Sequence, residues 1–299
     1  YDEKMVFPDG NAEPAGDDEF MVKTAQKMYH EISPETGEFI DFMIDHELMD
    51  LQNKPGKAST GYMTSLPSLK APFVFSCFNH TIFDMQVLTH ELGHAFAGYM
   101  AMRSQPISDY YSESTDIAEI HSMSMEQFAY PYAEWFFGEQ ADKFRFAHLQ
   151  EALTFVPFGV AVDEFQHICY AHPELTPKER TYQWHLLEEK YMPWRRYEND
   201  PFMERGGFWY HKLHIYLYPF YYINYTLTTM GAMEFKKKYA ENKSAAWQDY
   251  LNLCKTGGSR SYLETLRYAN LSNPFEAGSV ERACGYADKI LLDEIAKQG

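Results

Sequence analysis

The chain has no apolar run approaching the ~20 residues that a membrane-spanning helix needs. Its first residues, from Tyr1 on, lack the basic-then-apolar layout of a secretion signal. These two absences lead to the expectation of a soluble, cytoplasmic protein. Cysteine is scarce: Cys77, Cys169, Cys254 and Cys284 lie far apart, with no Cys-x-x-Cys pair. That spacing excludes a dense disulfide framework and predicts free thiols in a reducing compartment. Basic charge is also short, with 26 Lys and Arg against 43 Asp and Glu and a formal charge of −17. Such a surface argues against a nucleic-acid backbone or an anionic membrane as partner. No internal repeat or low-complexity tract is present. What the 299 residues do have is 45% hydrophobic content, enough for a substantial core, and a high aromatic share of 17%.

Residues 1–18 are rich in Gly, Pro, Asp and Asn and read as an irregular lead-in, with residues 19–299 forming one further unit. Helical periodicity begins near Asp18, and Pro34 with Gly37 is read as a break before a second helix from Glu38 to about Met49. Between Gly61 and Phe78 aromatic and β-branched residues mix with Pro67 and Pro72. Proline cannot donate to a ladder, so this stretch reads as an edge strand. It is either a place for an extended peptide to add itself or a small structural ribbon. Helices are expected over 84–102, 116–137, 139–155, 160–171 and 177–192, with Pro157, Pro173 and Pro193 at the joints. Gly206-Gly207 precedes an aromatic segment, and Gly257-Gly258-Ser259 separates closing helices. The fold class is therefore mainly α, multi-helical, with one short edge β element.

One stretch, Thr89-His90-Glu91-Leu92-Gly93-His94-Ala95, carries chemistry. Helix positions four apart lie on one face, so His90 and His94 can present imidazole nitrogens to one metal ion. Glu91 then projects beside them, placed to take a proton from a metal-bound water. The ordinary alternative is a five-residue coincidence on a core helix. Gly93 costs about 1 kcal/mol against alanine in a helix, so its presence implies a close neighbour.

A catalytic zinc of this kind takes three protein ligands and keeps one position open. His-x-x-Gly-x-x-His is not continued, because Ala97 and Met100 occupy the next positions. Glu113 sits in a Ser- and Asp-rich stretch read as a loop. Glu119 lies in the helical pattern Ile117-Ala118-Glu119-Ile120-His121-Ser122-Met123-Ser124-Met125-Glu126. A carboxylate amid isoleucines and methionines is costly to bury unpaired, so Glu119 is the expected ligand. Glu126, two turns on, is a candidate to hold the second nitrogen of a zinc-bound histidine, or else a solvated helix residue. His121 points elsewhere and reads as an ordinary histidine. In the segment 205–231, a helix starting at Pro219 would place Tyr222 and Tyr225 on one face as neutral donors to a developing oxyanion. Most tyrosines there read as packing.

These motifs, with Pro219-Phe220-Tyr221-Tyr222-Ile223-Asn224-Tyr225, Ala71-Pro72-Phe73-Val74-Phe75-Ser76, Glu204-Arg205-Gly206-Gly207-Phe208-Trp209 and Cys254-Lys255-Thr256-Gly257-Gly258-Ser259, resemble the oligoendopeptidase F branch of the thimet-oligopeptidase-like zinc metallopeptidases. Val162-Asp163-Glu164-Phe165-Gln166-His167 matches as well, so the resemblance covers nearly the whole chain. It implies a helical zincin-type catalytic domain in a two-lobed peptidase whose channel admits short, unstructured peptides. It implies zinc on His90, His94 and Glu119, and Glu91 as general base. His214, Tyr222 and Tyr225 would stabilise the tetrahedral intermediate, with Tyr221 as the alternative to Tyr222. Phe73, Val74, Phe75 and Ser76 would form the edge strand that receives the substrate backbone. Two departures stand out. Members are usually longer, with an N-terminal helical wall, so this chain corresponds mainly to the C-terminal part and an N-terminal lobe is its expected partner. His80 stands where this branch carries a glycine, and is expected to crowd the cleft or add a donor. The rival readings are a metallocarboxypeptidase, for which Arg205 is the one cation to offer a substrate carboxylate, and a peptide-binding module without chemistry.

Overall fold

The structure is a computed structural model that describes residues 7, 9–58 and 60–298, so residues 1–6 and 8 of the expected lead-in lie outside the described residues. Helix α1 (Asp18–Ile32) is capped by Asp17, whose carboxylate accepts from the Phe20 amide. Ser33 caps α2 (Pro34–Asp45) in a box with Thr36. Pro34 is thus the first residue of that helix and not a break before it, since its missing N–H is one that no helix start can satisfy. Gly37 lies inside that helix too, at a place where a Cβ would stand 2.7 Å from Nδ1 of His30.

Three short strands follow: β1 (Met49–Asp50), β2 (Tyr62–Leu66) and β3 (Ala71–Phe75). They form one sheet in the order β1-β3-β2, with β1 parallel and β2 antiparallel to β3. The strand expected at the edge is therefore in the middle. Val74 N–H donates to Leu48 and Ser76 N–H to Asp50 on one side, and Phe73 and Phe75 pair with Thr64 and Tyr62 on the other. Amides two residues apart point the same way along a strand. The nitrogen of Pro72 therefore faces the β1 side, where β1 pairs only with Val74 and Phe75. Pro67 marks the turn between β2 and β3, so neither proline requires a free edge. The open edge of the pair belongs to β2.

The rest is helical. The long helix α3 (Phe83–Ser104) packs on the sheet and on α4 (Thr115–Ala129). After α5 (Ala133–Phe137), α6 (Ala141–Ala171) runs through Pro157 as one helix, where two had been expected. Burial of Val156, Phe158, Ala161, Val162 and Phe165 on both sides of the proline outweighs the hydrogen bond it forfeits. Then come α7 (Pro177–Tyr191), the single turn α8 (Leu213–Leu217), α9 (Ile223–Glu241), α10 (Lys243–Thr256), α11 (Tyr262–Tyr268) and α12 (Ser279–Gln298). Helix α4 lies against both α3 and α9. A main core of Phe39, Phe96, Phe128, Phe235 and Tyr250 supports these helices from below. The four cysteines are free thiols, and no helix among the described residues is long and apolar enough to cross a membrane.

Candidate metal centre

Helix α3 places His90 and His94 one turn apart, with ring centroids 5.0 Å from each other. Glu119 reaches them from α4. Its Oε2 lies 3.0 Å from His90 Nε2 and 3.3 Å from His94 Nε2. The three donor atoms all fall within 4.8 Å of one another. Zinc held tetrahedrally at about 2.0–2.1 Å separates its ligand atoms by roughly 3.3 Å, so two imidazole nitrogens and one carboxylate oxygen at these spacings fit such an ion. Glu113, the loop alternative, lies outside this triad with its Oε1 3.1 Å from Nδ1 of the buried His121.

The approach of α4 to α3 depends on Gly93. A Cβ on it would stand 2.7 Å from the Ser122 Cα, 2.9 Å from the Met125 Cβ and 3.0 Å from the His121 carbonyl oxygen. Glycine lets the two backbones meet, and Glu119 is carried to the histidines as a result. Ser122 Oγ donates to Glu119 Oε2 at 2.9 Å and holds the carboxylate in place. Burial would raise the Glu119 carboxyl, but its bonds to His90 and His94 and their charge hold it far below the ordinary value.

Glu126 is no solvated residue. It is 6% exposed, and its Oε1 lies 2.6 Å from His90 Nδ1. That contact suits an N–H at Nδ1, so with a metal bound Nε2 would be the nitrogen that holds it. On its other side Glu126 meets His148 of α6, a residue the sequence reading missed because no spacing ties it to the motif. Glu91, 7% exposed, is not part of the triad, and burial pushes its carboxyl above the usual range although His90 and His94 pull the other way. Gly61 keeps space over it, since a Cβ there would lie 3.0 Å from Glu91 Oε1.

Two cavities flank His90. One, of about 440 Å³, runs from the β2 edge, with Gly61, Tyr62, Met63 and Ser65, past Glu91 and His94 to Glu119 and Tyr225. The other, of about 280 Å³, lies between α4, α6 and α9 and includes His214, Tyr222 and Tyr225. Helix α9 starts at Ile223 and not at Pro219, with Phe220 in the left-handed region at φ 61°. Tyr222 and Tyr225 still meet, at 5.6 Å between rings, and His214 packs 5.1 Å from Tyr222 and 6.1 Å from both Tyr221 and Tyr225. Burial raises the hydroxyl pKa of both Tyr222 and Tyr225 well above the ordinary value, and for Tyr225 the contact with Tyr221 adds to it. Both remain donors. Burial, helped by Lys212, lowers the His214 imidazole.

Phe73, Val74, Phe75 and Ser76 border neither cavity. Val74 and Ser76 are buried beneath the sheet, and Phe75 is covered by Tyr62 at 5.0 Å. The strand that faces the metal centre is β2. His80 is exposed and adopts φ 58°, a conformation that glycine takes without strain; its N–H donates to Asp84 at 2.8 Å, and it borders neither cavity.

Known proteins share this fold. A solved structure of PZ peptidase A with an inhibitor superimposes with a TM-score of 0.90 at 50% identity, over 98% of this chain and 52% of its own. A structure from Bacillus anthracis str. Ames gives a TM-score of 0.84 at 44% identity, over 98% of this chain and 49% of its own. A protein of Borreliella burgdorferi named oligoendopeptidase F homolog is 25% identical over 260 residues, covering 85% of this chain and 43% of itself. The chain thus spans about half the length of these relatives. The sequence profile of peptidase family M3 matches residues 21–285, and the chain belongs to that family.

Proposed function

We propose that this chain carries the catalytic centre of a zinc-dependent endopeptidase acting on short, unstructured peptides. The observation that carries the reading is the convergence of His90, His94 and Glu119 beside a buried Glu91 that binds nothing else in the cluster. Zinc, when bound, supplies a Lewis acid that polarises a carbonyl oxygen and makes water a nucleophile near neutral pH. His90, His94 and Glu119 hold the ion. Glu91 accepts the proton of the attacking water at its carboxylate and returns it to the leaving amine nitrogen. A carboxyl with a raised pKa is better matched to both halves of that task. Tyr225, on both cavities, is the first donor to the developing oxyanion, with Tyr222 and His214 behind it. Glu126 fixes the tautomer of His90.

The substrate backbone is assigned to β2 in place of Phe73–Ser76. In the antiparallel pairing Tyr62, Thr64 and Leu66 turn their amides toward β3, which leaves the N–H and C=O of Met63 and Ser65 on the open edge. Both residues border the cavity that reaches Glu91, so an extended peptide hydrogen-bonded there would pass over the ion. The partners are therefore short peptides and an N-terminal lobe of the kind the longer relatives have room for. A soluble, cytoplasmic location belongs to the same reading.

Edge pairing needs no free terminus, and Arg205 borders neither cavity, which favours an endopeptidase over a carboxypeptidase. Peptides blocked at both ends and internally quenched are expected to be cut at rates similar to their free-ended versions. Cleavage of free C-termini alone would assign the centre to a carboxypeptidase instead.

A further inference from the structure

Glu126 has both carboxylate oxygens taken by imidazoles. Oε1 lies 2.6 Å from His90 Nδ1, and Oε2 lies 2.6 Å from His148 Nε2. A carboxylate only accepts hydrogen bonds, so two imidazoles this close to its two oxygens are placed to donate to it through N–H groups. For His90 that fixes which nitrogen remains for a metal. His148 has no part in the chemistry proposed above, yet it is only 4% exposed.

An apolar ring would fill the same space more cheaply. His148 stacks on Phe144, with centroids 5.4 Å apart and planes 10° from parallel, and Tyr130 lies on another side at 6.3 Å. Its Nδ1 is buried without a hydrogen-bond partner among the described residues, a cost that histidine carries and phenylalanine does not. Among the described residues the polar contact that offsets this cost is the bond from Nε2 to Glu126. Without it Oε2 would be a buried acceptor left unsatisfied, and Glu126 could turn about its last bond and release His90.

We infer that His148 is a positioning residue of the metal centre: its Nε2–H anchors Glu126 Oε2, which keeps Oε1 on His90 Nδ1 and the His90 Nε2 lone pair aimed at the ion. The effect reaches the triad from α6 through α4 to α3, and it rests on the zinc reading above. Outer partners of this kind change metal affinity by about 10–100-fold. Since it acts through Glu126, the effect of His148 must vanish once Glu126 is gone.

The test is equilibrium competition for zinc between the full chain and a chromophoric chelator. His148→Phe keeps the ring stack and removes the donor, and is expected to raise the zinc dissociation constant about 10–100-fold. His148→Gln restores an N–H near the Nε2 position and should return to within a few-fold of the parent chain. Adding His148→Phe to Glu126→Ala should weaken binding no further than Glu126→Ala alone. The cobalt-substituted spectrum should change in His148→Phe and recover in His148→Gln, and if the phenylalanine variant does not fold, the glutamine variant and the spectrum decide. Parent-like affinity in His148→Phe, equal loss in the phenylalanine and glutamine variants, or additive loss in the double variant overturns the inference while leaving the zinc reading standing. A parent chain that takes up no zinc ends both.

Discussion

Glu91→Gln is expected to bind zinc as tightly as the parent chain and to lose about 10²–10⁴-fold in turnover, the range associated with a positioned general base. The separation of the two effects follows from the site. The triad consists of His90, His94 and Glu119, and the change leaves those three atoms where they are. Glutamine has nearly the volume of glutamate, so the narrow space under Gly61 is neither emptied nor overfilled. What disappears is the carboxylate proposed to take a proton from the attacking water and deliver it to the amine. Measured by zinc stoichiometry and by initial rates on a quenched peptide, parent-like rates in this variant would remove Glu91 from the mechanism. A loss of zinc would show that it has a different role in the centre.

Gly93→Ala sets two effects of opposite sign against each other. Alanine gains about 0.8–1 kcal/mol over glycine as a helix former, so propensity alone would stabilise α3. The new methyl would meet the Ser122 Cα at 2.7 Å and the His121 carbonyl oxygen at 3.0 Å. These neighbours are backbone of α4 and cannot swing aside as a flexible side chain does, so overpacking of about 1–3 kcal/mol is expected to win. The helices separate, and Glu119 moves off the two histidines with them. Chemical denaturation should therefore show a lower midpoint, and zinc affinity should fall in parallel. A midpoint at or above the parent's would mean that α3 and α4 do not need this contact.

How much of this was readable in the residues depended on how local the signal was. The spacing of His90, Glu91 and His94 on one helix is a local fact, and the helix is there from Phe83 to Ser104. Glu119 was legible because its apolar surroundings made a lone carboxylate expensive, and α4 does bring it to the histidines. His148 was not legible, since its approach to Glu126 is decided by how α6 packs on α4 and leaves no mark in the spacing. Proline was the least reliable guide. Pro34 starts a helix, Pro157 sits inside one, and Pro72 occupies a central strand, because in each place the missing N–H falls where no partner is waiting or where burial outweighs its loss. The edge assignment to Phe73–Ser76 failed for a related reason. Two residues, Met49 and Asp50, are too short a strand to announce themselves, yet they cover the side of β3 that the prolines suggested was open.

The most direct measurement is of zinc content and of cleavage of an end-blocked, quenched oligopeptide on the same preparation, before chelation, after it, and after zinc is restored. The account predicts one zinc per chain and cleavage that disappears with the metal and returns with it. Cleavage that survives complete removal of zinc would contradict it, and so would a fully zinc-loaded chain that binds the peptide and never cuts it.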